Sequence, residues 1–335
     1  MGTLKAAILG RPDGWHVRSL RDSLARRGIE VTCLPSTRII SRCAPSGAPM
    51  IESGGVDLES LDMLFVRSLP GGSLEQVIYR VDALHRLRDL GVRVINSASV
   101  IERTVDKLFT LCLLERAGLP VPATVACERS DQAMEAYEEL GGDVVVKPLF
   151  GSEGRGMLRV SDMDLAYRVF SALEQQNYIF YLQEFLPHAN TDYRLFIVND
   201  KVLGAMRRTG RNWKSNVAQG AQVSRVEPDE AMQRLALGAA GVFDADYLGV
   251  DLLRTVDGRN VLLEVNGIPG WRGFKKATGI DAGEVLVDHI LGDPAGKVVK
   301  RDDRIRTGFM GGPDSVSIGD SGPETRECDL GQALR

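Results

Sequence analysis

Three oxygen-bearing side chains in the stretch 249–270 are spaced as ligands of a metal ion. Two runs of strand-forming residues flank Asp257-Gly258, and Asp-Gly is a strong signal for a two-residue hairpin loop. Counting outward from that loop places Asp251 directly opposite Glu264, and Asn266 shares their face because side chains alternate along a strand. The pattern therefore predicts a hairpin face that carries two carboxylates and an amide.

Two carboxylates that face each other across a β-ladder repel, and a bound cation removes that repulsion. Carboxylate and amide oxygens are hard ligands of the kind that Mg²⁺ uses while it also holds substrate phosphates. The alternative interpretation is a solvated hairpin edge without a ligand. The same register predicts that Leu253 faces Leu262 and that the opposite face enters a core, through Val250, Leu252, Val261, Leu263 and Val265.

A lysine followed by a glycine-rich stretch indicates a second site, for phosphate groups. Three valines at 144–146 predict a buried strand that ends at Lys147, and the sequence KPLFGSEGRGM starts there. Backbone without bulky side chains can close over phosphates and donate its N–H groups to their oxygens. The order lysine, glycines, strand excludes a P-loop, in which the glycines precede the lysine and a helix follows. The alternative is a glycine-rich hairpin turn.

The composition is that of an ordinary globular protein. The chain has 335 residues, 44% hydrophobic and 26% charged, and its formal net charge of -4 gives no reason to expect a nucleic-acid partner. Its five cysteines and four histidines show neither metal-ligand spacing nor a disulfide framework. Because no signal-peptide pattern or membrane-spanning apolar run is present, we expect a cytoplasmic protein without a membrane partner.

Periodic apolar residues divide the chain into an N-terminal domain, a second domain and a tail. Strands and helices alternate over the first hundred residues and predict an open α/β sheet at 1–97, with 38–55 as a loop. In the second domain, one helix is predicted from Ser99 to Gly118, and a turn after Pro269 leads to a last helix. Apolar residues are few at 293–335, which we predict to be a disordered tail.

Eight short motifs follow one another along the chain, namely Lys107, Lys147-Pro148, GSEGRG, QEFL, AMRR, KSN, GVDLL and LEVN. In this order and spacing, the chain resembles the ATP-grasp superfamily, and most closely its RimK-like carboxylate–amine ligases, over residues 60–292. The resemblance implies a fold that combines α/β and α+β parts. An N-terminal α/β domain, at residues 1–97, would precede two α+β lobes that clasp ATP. The small lobe, with the linking helix and the glycine-rich lid, would comprise residues 98–186, and the larger lobe, with the metal site, residues 187–292.

The resemblance also implies a role for each matching residue. The lysines would contact phosphates, Glu184 and Phe185 would meet the adenine, and KSN would form a phosphate loop. The implied ATP-binding set is Lys107, Lys147, Ser152, Gly154, Gly156, Glu184, Phe185, Asp192, Lys214, Ser215 and Asn216. The implied ligands of two Mg²⁺ or Mn²⁺ ions are Asp251, Glu264 and Asn266, and the implied catalytic residues are Arg207, Lys147 and Asn216.

An enzyme of this kind takes ATP, an amino acid and a carboxylate acceptor as its partners. It moves the γ-phosphoryl group of ATP onto the carboxylate, and the amine then attacks the acyl phosphate, so no side-chain nucleophile is needed. We expect L-glutamate or another amino acid to be joined to a small molecule or to a protein C-terminus, by a chain that could form a homo-oligomer. The alternatives are a dipeptide or glutathione-like ligase and a non-catalytic ATP-binding regulator.

The turn after the predicted metal strand suggests a substrate contact. Trp271 and Arg272 follow Pro269-Gly270, and a guanidinium at that position suits a carboxylate because it can form two parallel hydrogen bonds. We therefore predict that Arg272 helps to bind an acidic or aromatic substrate at the mouth of the site. The alternative is a surface turn whose tryptophan packs on the last helix.

Deletion of residues 293–335 is expected to leave activity unchanged, because this segment has too few apolar side chains to offset the entropy of ordering it. The test compares ADP release and melting temperature between residues 1–292 and the full chain. A truncated protein that unfolds or loses activity would show that the segment belongs to the folded domain.

Overall fold

The structure, a computed structural model, describes residues 4–43, 49–151, 154–217 and 220–292. The predicted tail lies outside these ranges. No helix within them is both long enough and apolar enough to cross a lipid bilayer. The N-terminal elements are β1 (Ala6–Leu9), α1 (Trp15–Ala25), β2 (Val31–Leu34), β3 (Ile39–Ser41), β4 (Ile51–Ser53), β5 (Val56–Asp57), β6 (Met63–Val66), α2 (Leu74–Asp89) and β7 (Arg93–Ile95).

The N-terminal sheet has four parallel strands in the order β2-β1-β6-β7, which confirms the predicted open α/β sheet. Helix α1 packs on one face because Val17, Leu20 and Leu24 recur at helical spacing and are buried. Helix α2 packs on the other face and starts at a capping box in which Ser73 and Gln76 satisfy each other's backbone N–H groups.

The segment 38–55, predicted to be a loop, instead contains most of a small antiparallel sheet in the order β3-β4-β5. Ile39 and Ile51 are buried in the same core as α2, and Gly54 and Gly55 turn the chain with positive φ angles of 58° and 80°. These strands have only two or three residues each, which is too short for an alternating pattern to reveal them in the sequence.

The small lobe follows. Its elements are α3 (Ala98–Val105), α4 (Lys107–Arg116), β8 (Thr124–Cys127), α5 (Ser130–Glu139), β9 (Val144–Lys147), β10 (Leu158–Val160), α6 (Met163–Glu174) and β11 (Phe180–Glu184). The strands form an antiparallel sheet in the order β10-β9-β11-β8, and α5 and α6 share its core. The single helix predicted from Ser99 to Gly118 is two helices, because Asp106 is extended and caps α4 by accepting the N–H of Phe109. Lys107 is therefore the first residue of a helix.

The larger lobe consists of β12 (Thr191–Val198), β13 (Lys201–Thr209), β14 (Gln222–Val226), α7 (Glu230–Phe243), β15 (Tyr247–Arg254), β16 (Asn260–Asn266), α8 (Arg272–Thr278) and α9 (Ala282–Leu291). Its antiparallel sheet has the order β14-β13-β12-β15-β16. Helix α7 packs on one face, while α8 and α9 pack on the other face together with α1 of the N-terminal domain. The turn predicted at Trp271 to Gly273 is thus the start of a helix.

The hairpin β15–β16 pairs Asp251 with Glu264 as predicted, but by a different route. Its loop has three residues instead of two, because Thr255 pairs with Arg259 and Gly258 adopts a φ of 87°. A β-bulge at Leu263 then shifts the register back by one residue. The extra loop residue and the bulge each shift the register by one residue, in opposite directions, so Asp251 still pairs with Glu264.

Between the loop and the bulge, the predicted register of this hairpin is wrong. Leu253 pairs with Val261 instead of Leu262, and both lie in a small cluster outside the main core. Leu262 enters the core beside α7 in place of Leu263. The bulge is the physical reason, since one extra residue exchanges the faces of its neighbours.

The four sheets fall within the three predicted folded segments. The borders between those segments stay predictions. The N-terminal domain is tied to the larger lobe by Arg67, which donates to Tyr247 Oη at 2.6 Å and to the carbonyl oxygen of Pro269 at 2.9 Å. Asn96 adds hydrogen bonds of 2.7 Å to the carbonyl oxygens of Tyr247 and Gly267. These contacts fix the chain just after β16 against the N-terminal sheet.

Candidate active site

A cavity lies where β9 and β11 of the small lobe face β12, β13, β15 and β16 of the larger lobe. The polar loop 211–217 also contributes to its wall. Cations and carboxylates meet there within one cleft. The ionisable residues of its lining are Lys107, Lys147, Arg155, Glu184, His188, Asp192, Arg208, Lys214, Asp251 and Glu264.

The two predicted metal carboxylates face each other inside this cavity, and their surroundings differ. Asp251 is buried and accepts two hydrogen bonds of 2.6 Å from Arg194, plus one of 2.9 Å from Arg208. Burial acts to raise the pKa of Asp251, but the two guanidiniums outweigh it and hold that pKa below its ordinary value. Asp251 is therefore a carboxylate fixed in place by cations.

Glu264 has fewer hydrogen-bond partners than Asp251. Within the described residues, its carboxylate accepts no hydrogen bond. Burial, and then the negative charge of Asp251, raise the pKa of Glu264, although Arg194 and the two cavity lysines act against this rise. A cation that entered the cavity beside Glu264 would remove both causes.

Asn266 lies on the same strand face as Glu264 but is not part of the cavity lining. Its side-chain nitrogen lies 3.5 Å from the carbonyl oxygen of Gly249, the residue with which it pairs. Among the described residues, no three His, Cys, Asp or Glu side chains cluster as a metal site of their own. Two carboxylates and one amide fit Mg²⁺, which completes its coordination with phosphate oxygens and water.

Two lysines of the small lobe reach the cavity from different elements. Lys107, at the start of α4, donates to the carbonyl oxygens of Leu149 at 3.2 Å and Gly151 at 2.7 Å. Lys147, at the end of β9, donates to the side-chain oxygen of Gln183. Burial lowers the pKa of both lysines, that of Lys147 to about 8, while Glu264 acts in the opposite direction.

The glycine-rich stretch reaches across to the larger lobe. Ser152 lies outside the described residues, and Gly154 and Gly156 adopt positive φ angles of 70° and 74°. A Cβ at Gly154 would lie 2.1 Å from Oδ1 of Asn216, so only glycine permits this approach. Lys214 donates to the carbonyl oxygen of Met157 at 2.7 Å. Gly154 lines the cavity and Gly156 does not.

Part of the cavity lining is apolar. Phe185 lies there, and the Arg159 guanidinium stacks 3.5 Å from its ring centre. Val145, Leu253 and Leu263 complete a surface suited to a flat, apolar ring. Glu184, the last residue of β11, accepts the N–H of Ala123, the residue before β8, at 2.8 Å.

Asp192 joins the buried network around Arg208. Arg208 donates to both oxygens of Asp192, and the Ser215 hydroxyl donates to one of them. Burial, followed by the charge of Asp251, raises the pKa of Asp192 in spite of these donors. The network connects the KSN motif to the metal carboxylates.

Arg207, predicted to be catalytic, points away from this cavity. Its side chain is exposed on the sheet face that carries α7, since it pairs with Tyr193, whose neighbour Leu252 belongs to the core beside α7. Side chains alternate along a strand, so Arg208 takes the position predicted for Arg207. Arg207 therefore lies outside this cavity, and its catalytic role stays a prediction.

Arg194 and Arg208 are the functional residues that the predicted site left out. Their contact with Asp251 depends on the pairing of β12 with β13 and β15. The pairing of β12 with β15 joins strands more than fifty residues apart and has no local sequence signal. The basic pair Arg207-Arg208 was a usable signal in the sequence. Consecutive side chains of a strand point to opposite faces of the sheet, so one of the two must lie on the face that carries the site.

Fold and cavity together define an ATP-grasp enzyme. Residues 104–290 match the RimK-like ATP-grasp domain, and the chain belongs to that family. The predicted fold class is thereby confirmed, and the protein is an ATP-dependent carbon–nitrogen ligase.

Two curated relatives span nearly the whole folded chain. The tetrahydromethanopterin:alpha-L-glutamate ligase of Methanococcus maripaludis is 29% identical over 86% of this chain and 98% of its own. A probable alpha-L-glutamate ligase of Methanococcoides burtonii is 32% identical over 89% of this chain and 98% of its own. Among solved structures, the ATP-grasp ligase PsnB with a minimal precursor, Mg and ADP superposes with a TM-score of 0.65 at 23% identity, over 85% of this chain and 97% of that one.

Glu264→Gln is expected to reduce Mg²⁺-dependent turnover by about 100-fold or more, since even residues that only support metal ligands contribute about 10- to 100-fold. The melting temperature of the nucleotide-free protein should not fall, because the raised pKa of Glu264 shows that its charge opposes folding at neutral pH. Glu230→Gln on the exposed side of α7 is the matched control. Near-normal ADP release by folded Glu264→Gln would refute the metal assignment.

The affinity for a non-hydrolysable ATP analogue is expected to fall as the pH rises through about 8, where the pKa of free Lys147 lies. Below that pH the ammonium is charged and attracts phosphates, and above it each pH unit should cost up to about tenfold in affinity. Lys147→Arg keeps its charge and should flatten this profile. Equal pH slopes in both proteins, measured by calorimetry from pH 7 to 9.5, would contradict a phosphate contact by Lys147.

Proposed function

We propose that this ligase joins the amino group of L-glutamate to a carboxylate of a small molecule, by way of an acyl phosphate formed with ATP. The observation that carries the proposal is the paired Asp251 and Glu264 in a cleft that also holds Lys107, Lys147 and Arg208. Such a charge pattern fits phosphoryl transfer, in which the protein mainly positions and neutralises.

The nucleotide would lie along the long direction of the cavity. Its base would contact Phe185 and the apolar residues near it, while its phosphates would extend toward the lysines and the carboxylate pair. Asp251 and Glu264, with Asn266, would hold Mg²⁺, and the ion would supply charge neutralisation at the transferred phosphoryl group. We propose two ions, Mg²⁺ or Mn²⁺. PsnB, a structural neighbour, contains Mg and ADP, which supports the use of both ATP and Mg²⁺ here.

Cations of the protein would stabilise the transferred group from two sides. Lys107 and Lys147 approach from the small lobe, and Arg208 approaches from the larger lobe. Arg208 is already oriented by Asp192 and Asp251, so little reorganisation is needed when charge develops. Asn216 and Gly154 meet at the lid and would exclude water from the acyl phosphate.

Glutamate as the amine substrate rests on the relatives, two of which are named as alpha-L-glutamate ligases. A small-molecule acceptor follows the tetrahydromethanopterin of one relative's name. A dipeptide or glutathione-like ligase and addition to a protein C-terminus are the alternative reactions. The intact carboxylate pair and lysines weigh against a non-catalytic regulator. A cytoplasmic location and a homo-oligomer stay predictions.

A screen of ADP release across amino acids and reduced pterin, flavin-like and peptide acceptors tests this proposal. We expect release that needs both an acceptor and L-glutamate, with Glu264→Gln as the inactive control. We expect L-lysine to support a much lower rate of ADP release than L-glutamate. Its side-chain ammonium would add a positive charge near Lys107 and Lys147, which is unfavourable. A preference for a neutral or basic amino acid would overturn the glutamate assignment.

A further inference from the structure

The turn between β16 and α8 is held by a histidine from the N-terminal domain. Nε2 of His16 accepts the backbone N–H of Trp271 at 3.0 Å and that of Arg272 at 3.3 Å. The two partners lie more than 250 residues apart in sequence, so this contact exists only in the folded chain. One imidazole nitrogen thus fixes two consecutive backbone groups.

We propose that the turn Pro269–Arg272 is a recognition site for a substrate carboxylate, bound by the Arg272 guanidinium, and that His16 is the residue that positions this turn. The proposal rests on the proposed function for the identity of the amino acid. Its new element is a role for the N-terminal domain in substrate binding.

The turn is built around the His16 ring. A Cβ at Gly270 would lie 3.3 Å from Cε1 of His16, so glycine allows the ring to approach closely. The Trp271 side chain is fully buried, packs edge-on against His16 at 4.8 Å, and donates from Nε1 to Asp281 at 3.1 Å. Trp271 therefore anchors the turn, as the alternative sequence interpretation expected, and leaves its neighbour to project outward.

The imidazole must be neutral for Nε2 to accept two hydrogen bonds. Burial, and then the positive charges of Arg67 and Arg272, lower the pKa of His16 to about 4, while Asp281 acts against this fall. His16 is therefore a fixed acceptor over the physiological pH range. Its closeness to Arg272 is also evident from this charge effect.

Arg272 has the properties of a carboxylate ligand. It is exposed, and within the described part of the chain its guanidinium forms no ion pair. The residue after it, Gly273, lies against Met206 and Val217, since a Cβ at this glycine would lie 3.7 and 3.8 Å from their side chains. Met206 shares a strand face with Arg208, and Val217 follows Asn216, so the start of α8 packs against β13 and the loop 211–217, which both contribute to the cavity wall.

A double-mutant cycle tests the positioning role. Arg272→Ala and His16→Ala should each raise the KM for L-glutamate about tenfold, which is the value of one hydrogen bond to a charged group, while the KM for ATP stays within about twofold. The double variant should be no worse than either single variant, because His16 acts through Arg272. His16→Gln keeps an oxygen acceptor and should recover most of the affinity.

Lys276→Ala, an exposed change one turn further along α8, is the charge-matched control and should leave the KM for glutamate unchanged. Two results would overturn the inference. In the first, His16→Ala lowers the melting temperature but leaves the KM for L-glutamate unchanged. In the second, the increases in KM caused by the two single changes multiply in the double variant. If the wild-type protein releases no ADP with glutamate, the proposed function fails instead. The cycle is then measured with the amino acid that the wild type does use. A raised KM for that amino acid with an unchanged KM for ATP would support the inference, and any other result would contradict it.

Discussion

The site depends on two carboxylates that are held opposite each other on neighbouring buried strands. An isolated buried charge is strongly unfavourable, and two facing charges of the same sign are worse. The sheet tolerates the pair because Arg194 on β12 and Arg208 on β13 both reach Asp251. Asp251 thereby accepts three hydrogen bonds from guanidiniums and keeps one free acceptor position, whereas Glu264 accepts none within the described residues. The two carboxylates therefore differ in how much of their capacity is left for a metal ion.

The same electrostatics link the two lobes. The small lobe buries Lys107 and Lys147, whose charged forms are disfavoured by burial, and the larger lobe presents Glu264, whose charged form is also disfavoured. Each lobe therefore carries charges that the other can stabilise. Contacts between the glycine-rich stretch and Asn216 and Lys214 join the lobes at the outer edge of the cleft. We therefore expect the binding of phosphates and metal to favour a closed cleft.

The sequence was sufficient for parts of the site that depend on local rules. A buried strand placed Lys147 at the cavity, whereas Asp251 was correctly placed opposite Glu264 only because the missed third loop residue and the missed bulge cancel. It was insufficient where non-local pairing decides, since the partner of Arg194 is set by how β12 joins β15. For the same reason the sequence did not show that Arg208 and not Arg207 lines the cavity, because which residue of the pair faces it depends on the register of β13. The short strands at Ile39 and Ile51 and the helix break at Asp106 were lost to weak local signals.

The strands of the hairpin β15–β16 could also pair in a second way that uses the same number of residues between Asp251 and Glu264. A two-residue loop without a bulge would keep Asp251 opposite Glu264 and would exchange Leu262 with Leu263 between the core and the cavity. Core packing cannot distinguish the two pairings, because a leucine enters the core in both. The conformation of the turn must therefore determine which pairing forms. There the Thr255 hydroxyl bonds to both the N–H and the carbonyl oxygen of Arg259 at 3.1 Å, contacts that close the three-residue loop. We therefore expect Thr255 to decide which of the two leucines lines the cavity, although Thr255 is not among the described residues that line it.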